Sequence, residues 1–89
     1  MQYNNPASET LYVQIVEENV DSRTVSSTPK YYEGEYTLEL YDKNTTLVRK
    51  MTCNTPQVEM SVSDLAPDNY YLRLVVEGQV IEVEQIIID

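Results

Sequence analysis

At 89 residues the chain has room for one domain and not two, and so small a core needs most of the apolar residues present. Two glycines, four prolines and 42% hydrophobic residues exclude a low-complexity or collagen-like chain. Fifteen acidic residues against six basic ones give a formal charge of −9, which repels phosphate backbones and anionic lipid surfaces and excludes nucleic acid as an expected partner.

Residues 1–10 are expected as an extended lead-in and 11–89 as the domain. Period-2 alternation predicts strands from there on. Leu11–Val16 places Leu11, Val13 and Ile15 on one face. Residues 17–34 are polar; Ser22–Thr28 is a weak strand candidate, and part of this stretch is expected as a mobile loop. Glu35–Tyr41 places Tyr36, Leu38 and Leu40 together, and Asp42-Lys43-Asn44-Thr45 then reads as a hairpin turn. Thr46–Thr52 is a more polar strand, with Cys53 in phase with Leu47 and Met51. After Asn54-Thr55-Pro56 comes Gln57–Val62, with Val58, Met60 and Val62 inward. Ser63–Asn69 is expected to hold one short helical turn capped by Ser63 or Asp64. Tyr70–Val76 sets Tyr70, Leu72, Leu74 and Val76 against Tyr71, Arg73 and Val75. Glu77-Gly78-Gln79 is a tight turn, Gly78 supplying positive φ, and Gln79–Ile88 is the longest strand. These elements predict an all-β fold: an immunoglobulin-like or fibronectin-III-like β-sandwich of about seven antiparallel strands.

Candidate chemistry is sparse. The chain has no histidine, so the Ser-His-Asp and Cys-His nucleophile schemes and the usual Cys/His zinc site have no basis. Cys53, the single cysteine, reads as a small apolar residue of the core, and no internal disulfide is possible. Carboxylates could pair for acid–base work only in a cleft that a thin sandwich seldom encloses; no enzyme and no cofactor are expected. Asp42, Asn44, Asp64 and Asp68 are oxygen donors suited to calcium, and equally residues that make turns. Asn44-Thr45-Thr46 matches the N-glycosylation triplet. No apolar run reaches the ~18–20 residues of a membrane span, so no membrane insertion is expected, and Met1-Gln2-Tyr3 does not begin a signal peptide.

Eight tyrosines stand in a chain without phenylalanine or tryptophan. Tyrosine must then fill the aromatic core positions, its hydroxyl at an edge or hydrogen-bonded. Tyr31, Tyr32, Tyr41 and Tyr71 fall in loops or opposite the main apolar rows and, with Arg73, are the candidate interaction residues for a protein partner or a glycan.

Three segments carry a resemblance. Asn5-Pro6-Ala7-Ser8-Glu9-Thr10-Leu11-Tyr12-Val13, Leu40-Tyr41-Asp42-Lys43-Asn44-Thr45-Thr46-Leu47-Val48 and Val62-Ser63-Asp64-Leu65-Ala66-Pro67-Asp68-Asn69-Tyr70-Tyr71-Leu72-Arg73-Leu74 occur in the order found in the C-terminal sorting domains of type 9 secretion in Bacteroidetes, which the chain resembles. The motif positions are Asn5, Pro6, Tyr41, Asp42, Asp64, Leu65, Tyr70 and Arg73. The resemblance implies a non-catalytic β-sandwich accessory module of a secreted, periplasmic or cell-surface protein, recognised by the secretion machinery, with the exposed sheet face and Gln79–Asp89 as the expected contact. The chain departs from the family at Thr45 and Asp68, where the family has glycine, and at Asp89, where it has a basic end. Because a β-branched residue tolerates left-handed backbone poorly, the shape of the Thr45 turn is the first point to check. The alternative is a stand-alone binding module for a glycan or a protein, including a protease-inhibitor-like role.

Overall fold

In the computed structural model the described residues are 1–17, 30–31 and 34–89, with 16, 17, 30 and 31 described by backbone alone. They form nine strands: β1 (Gln2–Tyr3), β2 (Thr10–Gln14), β3 (Val16–Glu17), β4 (Lys30–Tyr31), β5 (Tyr36–Tyr41), β6 (Leu47–Cys53), β7 (Gln57–Ser61), β8 (Asp68–Val76) and β9 (Gln79–Ile88). Two antiparallel sheets, ordered β1-β2-β7 and β6-β5-β8-β9, make a sandwich-like pair, and β3 and β4 form a separate two-stranded ribbon. No helix occurs among the described residues. The weak strand candidate Ser22–Thr28 lies outside them.

The core is built from the alternating residues. Leu11, Val13, Val58 and Met60 come from the smaller sheet; Tyr36, Leu38, Leu40, Tyr70, Leu72, Leu74, Ile86 and Ile88 come from the larger. Each is buried, and each fully buried side chain of Leu or Ile size contributes about 1.5–3 kcal/mol. Tyr36 and Tyr70 fill the aromatic positions as expected. Their hydroxyls reach the core margin, Tyr36 donating to the Thr55 carbonyl and Tyr70 to the Ala66 carbonyl at 2.7 Å.

The strand expected over Leu11–Val16 divides. Its first part, β2, pairs with β7, whereas Val16–Glu17 pairs with β4. The break falls at buried Ile15, whose N–H donates to the Pro56 carbonyl at 2.8 Å. The lead-in over residues 1–10 is likewise more than extended chain. Gln2–Tyr3 pairs with Val13–Gln14, and Ala7, 1% exposed, clips onto the end of β9. Ala7 N–H donates to the Ile87 carbonyl at 3.0 Å and Asp89 N–H to the Ala7 carbonyl at 2.9 Å. The Asn5–Pro6 peptide bond is cis, and Asn5 Oδ1 accepts the Ile87 N–H at 2.9 Å.

Three turns settle the local expectations. Ser63–Asn69 holds no helical turn: a single turn closes with Leu65 N–H on the Val62 carbonyl at 3.1 Å. Pro67 has no N–H to extend it, and Asp68 and Asn69 already belong to β8. Glu77 and Gly78, at φ 52° and 78°, form a two-residue hairpin loop between the paired Val76 and Gln79, the conformation that suits the strand twist. Thr45 keeps a left-handed backbone, φ 61°. Asp42 fixes that turn: Oδ1 accepts the N–H groups of Asn44 and Thr46, both at 2.9 Å, and its carbonyl accepts Thr45 N–H at 3.0 Å. The left-handed region costs an L-residue roughly 1–2 kcal/mol, part of which glycine returns as unfolded-state freedom. Thr45→Gly is therefore expected to stabilise the domain by about 1 kcal/mol, read as a raised denaturation midpoint at unchanged slope.

Candidate functional site

The outer face of the four-stranded sheet has no described layer over it, and three of the interaction candidates meet there. Strand register sets them in rows. Tyr41 of β5 lies opposite Tyr71 of β8, which lies opposite Gln85 of β9. The next row runs Lys50, Glu39, Arg73, Val83. Tyr71 is 38% exposed.

Arg73 organises the middle of this face. Its guanidinium carbon stands 5.1 Å from the Tyr41 ring centroid, a cation–π contact. Its Nε lies 3.7 Å from Glu39 Oε1, an ion pair too long for a hydrogen bond, and the shut-off Nε has no hydrogen-bond acceptor. Tyr41 Oη donates to the same Glu39 oxygen at 3.3 Å. Glu39 thus holds both the arginine and the ring beneath it, and Tyr71 stands opposite that ring across the β5–β8 pair.

The face continues onto β9, where Ile81, Val83 and Ile87 are roughly half exposed. The long apolar strand is apolar on its solvent side. Its inward phase carries Glu82 and Glu84 before Ile86 and Ile88. That parity was visible in the sequence, since both glutamates share the even phase of the two buried isoleucines. Leu47 is exposed too, at 43%. The expected phase of Leu47 with Met51 and Cys53 fails because β6 carries a bulge: Leu40 pairs with Arg49 and Tyr41 with Leu47, so Val48 is the extra residue and turns to the core instead.

The remaining motif residues hold the fold. Asp42 caps its hairpin, Asn5 and Pro6 lead into the Ala7 clip, Leu65 packs against the core and Tyr70 is buried. Asp64 pairs with Arg49, which also donates to the Ser61 carbonyl at 3.2 Å and so ties β6 to the chain leaving β7. Asp68, in strand conformation, accepts from Lys43 at 2.9 Å and from Asn69 N–H at 2.8 Å, so no glycine is required there. Hydrogen bonds from these cations hold the Asp64 and Asp68 carboxyls below the usual carboxylate range. Asp42, Asp64 and Asp68 therefore have protein partners, and no metal-holding group of three or more His, Cys, Asp or Glu side chains occurs among the described residues. Cys53 is half-buried against the core, and burial pushes its thiol up, away from the reactive thiolate. Tyr31 lies in β4, outside both large sheets, and Tyr32 lies outside the described residues. No helix among the described residues is long and apolar enough to cross a membrane. No family model and no curated protein matches the chain in sequence.

Proposed function

We propose that the chain is a non-catalytic recognition module of immunoglobulin-like or fibronectin-III-like type, carried by a secreted or cell-envelope bacterial protein and related to the type 9 sorting domains. Its partner is a protein of the secretion machinery or of the parent assembly. The observation that supports this reading is the meeting of Tyr41, Tyr71 and Arg73 with the apolar outer row of β9 on one face that none of the described residues layers over. Rigid aromatic and arginine side chains presented by a sheet, rather than by loops, lose little entropy on contact, and they are the residue types that dominate protein interfaces.

The test is a fusion of residues 1–89 to the C-terminus of a periplasmic reporter in a host with type 9 secretion. Reporter on the cell surface or in the medium is the expected result, falling at least about tenfold for Tyr71→Ala combined with Arg73→Ala, as for the loss of an interface hot spot. Reporter held in the periplasm with a folded domain would sink the sorting role. A second reading, a stand-alone glycan- or protein-binding module, draws on the Tyr41–Tyr71 pair with a cation over one ring. It predicts glycan-array or pull-down signal from the free domain that Tyr71→Ala abolishes.

A further inference from the structure

β9 ends the order β6-β5-β8-β9, so among the described residues one side of it has no strand beside it in the sheet. Which backbone groups point there follows from the clip at its C-terminal end. Ile87 turns both its N–H and its carbonyl away from β8, toward Asn5 and Ala7. Pairing with β8 runs in unbroken register from Ile88 back to Glu82, so Gln85 and Val83 turn their backbone groups to the same side. Among the described residues nothing pairs with them. The register shifts beyond Glu82, where Ile81 has no partner on β8. The open edge is therefore short, bounded by this bulge at one end and by the Ala7 clip at the other.

Side chains flanking the edge differ sharply between the two faces. On the outer face stand Ile81 and Val83, 58% and 55% exposed. On the inner face stand Glu82 and Glu84, at the margin of the sandwich near β1. Tyr3 Oη donates to Glu84 Oε2 at 3.2 Å. The Met1 amino nitrogen lies 3.3 Å from Glu82 Oε2 and 3.5 Å from Oε1, and Oε2, shut off from solvent, accepts no aligned hydrogen bond.

We infer that the open edge of β9 at Val83–Gln85 takes up an extended segment of a partner protein whose residues alternate between apolar and Lys or Arg. Such a strand continues the sheet from the point where the Ala7 clip ends. Its backbone meets the N–H and C=O groups of Val83 and Gln85. Its apolar side chains lie on the outer face over Ile81 and Val83, and its cations reach Glu84 on the inner face, Glu82 being already held by the Met1 ammonium. Charge selects against a second copy of this chain: edge-to-edge pairing would set Glu82 and Glu84 of one copy beside those of the other, on chains each carrying −9. The inference deepens the proposed recognition role by naming the partner's chemistry.

The test uses the whole chain and a labelled peptide alternating valine and lysine, with an alternating valine–glutamate peptide as control, read by fluorescence anisotropy. The lysine peptide is expected to bind, at least about tenfold more tightly than the control, and to lose affinity with rising salt. Val83→Pro removes an N–H that points away from β8, which an edge strand tolerates, so the fold is kept and binding should fall at least about tenfold. Glu84→Gln should weaken binding severalfold. On binding, the Val83 and Gln85 amides should gain protection from hydrogen exchange. No binding by the lysine peptide, equal binding by both peptides, full binding by a folded Val83→Pro chain, or unchanged exchange at both amides in the bound state would each overturn the inference. Peptide binding without export of the reporter fusion would remove the sorting role alone; export that persists in Val83→Pro would separate the edge from that role.

Discussion

Removing Gln79–Asp89 is expected to unfold the domain, not merely to delete a recognition strand. β9 pairs with β8 from Val76–Gln79 to Asp68–Ile88. Its Ile86 and Ile88 are 0% and 2% exposed, so their loss alone withdraws about 3–6 kcal/mol of burial. A domain of this length has a total stability of only about 5–10 kcal/mol, and Ala7 and Asn5 lose their partners in the same deletion. Residues 1–78 should show no cooperative denaturation and collapsed amide dispersion in NMR. A sharp two-state transition for that fragment would contradict the account. Loss of export on truncation would therefore report folding, which is why Val83→Pro, confined to the open edge, is the informative variant.

Tyr36→Ala should cost about 3–5 kcal/mol, the usual range for removing a buried aromatic ring, because Tyr36, at the start of β5, is 1% exposed. Tyr36→Phe should cost about 1–2 kcal/mol, since it leaves the Thr55 carbonyl without its donor. The hydroxyl also sets an alkaline limit. Burial, followed by the negative charge of the Cys53 thiolate beside it, pushes its pKa up to about 12, against about 10 in an unfolded chain. A folded pKa above the unfolded one means that the stabilisation is complete below pH 10 and is lost as pH rises toward 12. By pH 11 Tyr36 should have cost roughly 1 kcal/mol. Denaturation midpoints measured at pH 8 and pH 11 should fall further for the natural chain than for Tyr36→Phe; equal falls would show that another group sets the limit.

Strand identity was legible in the sequence because burial on one face of a sheet imposes a period of two, and Tyr36-Leu38-Leu40 and Tyr70-Leu72-Leu74 obey it without interruption. The Asp42 hairpin and the Gly78 turn were legible because their chemistry is local. What the tertiary structure alone decided are the matters set by residues far apart in the chain. Ile15 ends the β2–β7 ladder because Pro56, opposite it, accepts its N–H but has none to return, and Val48 replaces Leu47 at the core because β6 bulges against β5. Ala7 becomes core because it meets Ile87 and Asp89. Tyr41, Tyr71 and Arg73 become one surface only once β5 and β8 are in register. Alternation marks which residues share a face; it carries no information about which strand lies beside which, and that pairing is what brings Val83, at the open edge, into line with Arg73.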